Sequence, residues 1–279
     1  GFTMFKFLTL IFTAMLMTSN SYSFATPSDA ARAELAPTGK LRAGINFQNV
    51  MLTSLGPNGE QGGVAVDLVH ELAHALADQQ FGIRKYLKGA KEDDAFTARQ
   101  AVIEGQASWL SWAYVASRTT GRAEVPRALV EELSRVGSTG GGFPVLSQTP
   151  LYMRESLVFP YTEGMKFQDT IYRKLGVGAF ERLFLDAPLS TQEILHPDQY
   201  ADKVIPSHPA IPQDLPGVDW KRFKELVRGD VGEFDYSVML RQHAPAADGR
   251  EIASHWRGAT YRIYEEKSSK APLLLHRSE

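Results

Sequence analysis

The 279-residue sequence predicts an α+β fold that is mostly α: a helical core with a few short strands and a loop-rich C-terminal half. Three observations predict it. Two long segments, from Val64 to about Gln80 and from Asp93 or Asp94 to Arg118, repeat their apolar residues at helical intervals. Two short segments, residues 40–47 and 259–266, alternate apolar and polar side chains as half-buried strands do. Six prolines, at 188, 197, 206, 209, 212 and 216, exclude long regular elements from that stretch and predict loops laid over a helical base.

In chain order, residues 4–25 carry Lys6, an apolar run from Phe7 to Met17 and the small-x-small triplet Ser23-Phe24-Ala25, the layout of a secretory signal peptide cleaved before Thr26. The apolar run is shorter than the roughly 20 residues a spanning helix needs, so no stable membrane span is expected after cleavage. Residues 26–40 are expected to form a short helix or arm before the strand at 40–47, and the turn formers of 55–63 to lead into the first long helix. Val66, Val69, Leu72, Ala73 and Leu76 are expected on its inner face, and Phe96, Ala101, Val102, Gly105, Trp109, Trp112 and Val115 on that of the second. A third helix is expected near 126–135, ending in the glycine-rich joint 137–142. Shorter helices are expected at about 165–175, after Phe159-Pro160-Tyr161, at 178–185 and at 228–242.

The composition narrows the chemistry. Thirty Lys+Arg against 32 Asp+Glu give a net charge of -2, too little positive field for a protein that works by neutralising nucleic-acid phosphates. No cysteine is present, so a metal site must use His, Asp or Glu. No G-x-S-x-G setting points to a serine hydrolase, and 137–142 lacks the ending of a phosphate-binding loop. Trp109, Trp112 and Tyr114 are spaced as core residues rather than as a sugar-stacking platform.

The sharpest pattern is His70-Glu71-Leu72-Ala73-His74 in the first long helix. A spacing of four puts both imidazoles on one face, where one zinc ion can bind both, with Glu71 beside it as general base. Random placement gives about 0.01 such matches in a chain of this composition. Glu104, on the second helix, is the candidate third ligand, and Gly105 beside it allows the backbones to come close.

HELAHALADQQF and DDAFTARQAVIEGQASWLSWAY resemble a family of secreted bacterial zinc-metallopeptidase-like proteins. The likeness continues in order through SLVFPYTEGMKF, PLSTQEILHPDQY, GEFDYSVMLRQ and AADGREIASHWRGATYRIYE, so it covers about residues 68–266. It implies a zincin-like helical core, one zinc ion held by His70, His74 and Glu104, Glu71 as general base, and a peptide or protein substrate. One departure is that the family's EGDA is EGQA here, with Gln106 in place of an acid. Asp78 and Asp94 are candidates to orient the histidines. The blocks also supply His196, Tyr261 and Tyr161 as candidates for stabilising an oxyanion, His196 ranked first.

Residues 34–73 resemble the opening of a periplasmic amino-acid-type solute-binding protein, with Asn46, Phe47 and Asn49 at its ligand positions. The chain thus reads either as a chimera or as a zinc helix with a convergent lead-in. The expected division is a signal peptide at 1–25, an arm and strand at 26–63, a metallopeptidase-like domain at 64–266 and a C-terminal tail at 267–279. A secreted or periplasmic peptidase is the functional expectation. The alternatives are a solute-binding protein without catalysis and an inactive peptidase-fold scaffold.

Overall fold

The structure is a computed structural model, and it describes residues 54–55, 61–62, 64–139, 144–212, 215–243 and 246–279. All of these belong to one compact unit, Phe47–Glu279. The signal peptide, the expected strand at 40–47 and the solute-contact candidates Asn46, Phe47 and Asn49 lie outside the described residues.

The fold is α+β and mostly α. A two-stranded antiparallel ladder, β1 (Ser54–Leu55) and β2 (Gln61–Gly62), precedes α1 (Val64–Phe81) and α2 (Ile83–Lys88). The central element is α3 (Asp93–Thr120), buried on several sides through Ala98, Ala101, Val102, Trp109 and Val115. It is followed by α4 (Arg127–Thr139), α5 (Pro144–Ser147), α6 (Leu151–Leu175), α7 (Gly178–Leu185), α8 (Thr191–Leu195) and α9 (Pro197–Asp202). A three-stranded antiparallel sheet closes the chain, in the order β3 (Phe223–Asp230), β4 (Ala259–Glu266) and β5 (Pro272–Ser278). Between β3 and β4 lie α10 (Glu233–His243) and α11 (Ala246–Ser254). Among the described residues no helix is long and apolar enough to cross a membrane.

α3 packs most extensively on α6, with α1 also against it. The two long helices touch through glycine: a Cβ on Gly105 would fall inside the backbone of Gly164, and one on Gly164 would strike the carbonyl of Ala101. Only glycine permits so close a crossing, because any side chain there would force the backbones apart.

Several expectations need correction. The break expected around Pro160 does not occur; α6 runs from Leu151 through Leu175 with Pro160 buried inside it. An interior proline costs a helix about 3 kcal/mol. Burying Phe159, Met165, Phe167 and Ile171, each 3% exposed or less, outweighs it at about 1.5–3 kcal/mol per side chain. The helix expected at 228–242 begins only at Glu233, because Phe223–Asp230 is a strand whose side chains alternate between half-buried and exposed. It pairs with β4 from Phe223 opposite Glu266 to Asp230 opposite Thr260. The expected tail at 267–279 holds β5, whose Leu273, Leu274 and Leu275 sit opposite Tyr264, Ile263 and Arg262. Leu76 points to solvent, 64% exposed, whereas Ala73 and Ala77 of α1 are buried. Gly137–Thr139 continue α4 instead of belonging to the expected joint.

The sheet is tied to the helices by carboxylates. Asp230 Oδ1 accepts the backbone N–H groups of Asp93 at 2.7 Å and Asp94 at 3.2 Å, and so caps α3 from another element. Asp94 in turn accepts from the Thr191 hydroxyl at 2.6 Å, and Asp235 accepts from Tyr152 Oη at 2.7 Å.

Candidate metal centre

α1 presents His70 and His74 on one face one turn apart, and α3 brings Glu104 to both. The Nε2 atoms of His70 and His74 each stand 3.2 Å from Glu104 Oε2. The two imidazole rings meet edge to face, with centroids 4.6 Å apart and planes at 81°. All three side chains are shielded but open to water: 21% of each histidine side chain and 14% of that of Glu104 are exposed.

Their donor atoms lie within 4.8 Å of one another, and they form the only such group of three among the described residues. A tetrahedral zinc ion with bonds of 2.0–2.1 Å has neighbouring donors about 3.3 Å apart, close to the two His–Glu separations. Two imidazole nitrogens and a carboxylate also match the donor set of open zinc sites, which leave the fourth position to solvent. Burial by itself would raise the Glu104 carboxyl, but hydrogen bonds from His70 and His74 and their charge bring it down to about 2. Glu104 is therefore held ionised, the form a cation requires.

Tyr161 completes the group. It projects from α6 one turn before Gly164, and its ring stacks on that of His70 with centroids 6.1 Å apart and planes at 26°. Partial burial raises its phenol, and the charge of Glu104, a hydrogen bond to Glu104 and the charge of Glu71 raise it further. The hydroxyl is therefore a firmly neutral donor facing the candidate ligands, and the residue remains 36% exposed. Glu71 is exposed, and its charge reaches the Tyr161 phenol.

The other candidates are placed elsewhere. His196 Nε2 lies 2.7 Å from Glu233 Oε1, a hydrogen bond that raises the imidazole's pKa. Tyr261 Oη donates to Asp93 Oδ2 at 3.5 Å, eleven residues and about 16 Å along α3 from Glu104. The structure thus brings Tyr161 to the triad and sets His196 beside Glu233 and Tyr261 beside Asp93. Asp78 and Asp94 do not orient the histidines: Asp78 Oδ1 accepts from the backbone of Ile83 at 2.8 Å, and Asp94 is engaged by Thr191. Gln106 is buried with its Oε1 unpartnered, so it makes no hydrogen bond to a ligand through that oxygen. Trp109 is a core residue whose Nε1 donates to Asp169 at 3.0 Å.

Sequence reasoning ranked Tyr161 below His196 because a tyrosine in that setting reads equally well as a core aromatic. The spacing Tyr161-x-x-Gly164, one turn before a glycine able to approach another helix, was the available signal. Comparison of the chain with protein-family models, with curated proteins and with solved structures gives no match.

Proposed function

We propose that the protein is an exported zinc metallopeptidase of the HExxH type that hydrolyses peptide bonds. The observation that carries this reading is the convergence of His70, His74 and Glu104, from two separate helices, on one small volume beside an exposed Glu71. The signal-like residues 4–25 support export. The ordered blocks over 68–266 support kinship with the zinc-metallopeptidase-like family.

In this reading His70, His74 and Glu104 hold the ion. Zinc, when bound, supplies Lewis acidity that acidifies water and polarises a peptide carbonyl. Glu71 takes the proton from the attacking water on its carboxylate and later delivers it to the leaving amine. Tyr161 Oη donates a hydrogen bond to the carbonyl oxygen as negative charge develops on it, the role expected first of His196. The crossing at Gly105 and Gly164 sets the separation between the helices that carry Glu104 and Tyr161.

Metal analysis of the purified chain, followed by peptide cleavage assays, tests the reading. One zinc per chain is expected in the wild type and in Glu71→Gln, with hydrolysis lost in the variant. Undiminished cleavage by Glu71→Gln refutes Glu71 as the base. Absence of bound zinc together with absence of cleavage favours a scaffold.

A further inference from the structure

A groove of about 830 Å³ opens between the C-terminal half of α3 and α4, a volume in the range of ligand sites. It exists because α4 docks on α6 and stands off α3. Its walls are apolar, with Trp112, Val115 and Ala116 on one side and Leu129 and Leu133 on the other.

Two features connect this groove to the metal centre. Along α3, Glu104, Ser108, Ser111, Val115 and Thr119 recur at intervals of four and three, which places them on one stripe of the helix. The stripe that holds the metal ligand therefore runs on into the groove wall. Behind the opposite wall the buried Ser134, next to Leu133, donates its hydroxyl to the carbonyl of Thr162 at 3.0 Å. Thr162 directly follows Tyr161, so the helix forming that wall is anchored to the part of α6 that carries Tyr161.

At the far end stands Arg122. Arg135 is paired with Glu132, and Arg173 is held by Asp169 and the carbonyl of Val125. The guanidinium of Arg122 takes part in none of the hydrogen bonds or ion pairs described. The lining carries Arg122, Arg135 and Arg173 against Glu124 and Glu132, a surplus of one positive charge. A carboxylate suits that mouth.

We propose that the groove is an extended subsite for the C-terminal side of a peptide substrate, taking apolar side chains along its walls and the terminal carboxylate at Arg122. The proposal rests on the peptidase reading and gives it a substrate class: peptides with a long apolar segment after the cleaved bond. Trp112 and Thr120 lie about 12 and 24 Å along α3 from Glu104. At about 3.3 Å per extended residue, the groove engages residues about four to seven places beyond the bond cleaved.

The test uses the full chain carrying Glu71→Gln and a fluorescently labelled peptide of eleven residues, rich in leucine and phenylalanine, with a free C-terminus. Fluorescence anisotropy should show binding that weakens at least tenfold in Thr119→Trp, which fills the groove from an exposed position, and in Leu133→Glu. C-terminal amidation of the peptide or Arg122→Gln should weaken it about fivefold. Equal affinity in Thr119→Trp overturns the proposal even if Leu133→Glu fails to fold. Displacement of the peptide by dodecanoate at equal affinity also overturns it, since a hydrocarbon site would then explain the groove. In the wild type, cleavage should rise at least tenfold as the segment after the cleaved bond grows from two residues to seven. Cleavage independent of that length leaves the hydrolase and removes the subsite. Groove binding without cleavage at any length leaves the subsite as a peptide site and removes the hydrolase.

Discussion

The two ends of α3 treat carboxylates in opposite ways. At Glu104 two imidazoles meet one buried carboxylate, and its pKa falls to about 2. At the N-terminal end Asp93, Asp94, Asp230 and Asp235 gather from α3, β3 and α10 with hydroxyls and backbone N–H groups as their hydrogen-bond partners. Burial, reinforced by their neighbours' negative charge, raises all four. Burial alone thus does not decide what a carboxylate can do. Imidazole partners hold Glu104 ionised, while hydroxyl and amide partners fit the other four to join parts of the fold.

The contrast breaks most sharply at Glu104. Glu104→Gln keeps the side chain's shape and removes its charge, and it should weaken zinc binding more than 100-fold in a chelator competition; unchanged affinity would show that Glu104 is no ligand. Next comes Tyr161→Phe. It should lower kcat about 100-fold with zinc content intact, the loss associated with a single oxyanion donor. A change confined to KM would make Tyr161 a substrate contact instead.

Much of this was legible in the sequence because α1 and α3 carry their information locally. An imidazole pair at i, i+4 and a carboxylate beside a glycine need no knowledge of the rest of the chain. Tyr161 depended on long-range packing: Pro160 spoke for a break, and only the burial of Phe159, Met165 and Phe167 decides otherwise. β3 and β5 were missed for a related reason. Gly229 and Asp230 interrupt the apolar pattern before α10, and the three leucines of β5 gain strand character only by pairing against β4. Asp94 was legible as a helix start but not as a partner of Thr191, 97 residues away.

Two smaller predictions sharpen the acid side of the comparison. Glu193 is wholly buried, and burial carries its pKa from 4.5 to about 7 although the Leu189 N–H donates to it. The folded state holds that proton more tightly than the unfolded chain does. Its burden is therefore absent below pH 4.5 and grows as pH rises through 7. Glu193→Gln should gain on the wild type across that window, by up to roughly 3 kcal/mol in denaturant titrations at pH 8. A pH-independent difference would mean that Glu193 does not titrate in the fold. Asp235→Asn should act in the same direction with a smaller effect. The raised carboxyl favours the folded state at acid pH, so the variant's melting temperature should fall less steeply than the wild type's as pH rises from 4 to 7. A parallel decline in both proteins would remove Asp235 from the acid group.

The crossing of Gly105 and Gly164 has a consequence for how such a centre could be altered. Its dimensions are fixed where two backbones meet with no side chain between them, one residue from Glu104 and three from Tyr161. A methyl group inserted there would act as a shim, widening the gap between the rods while leaving every donor atom chemically unchanged. The reach from Tyr161 to Glu104 could thus be retuned from a position that belongs to neither side chain.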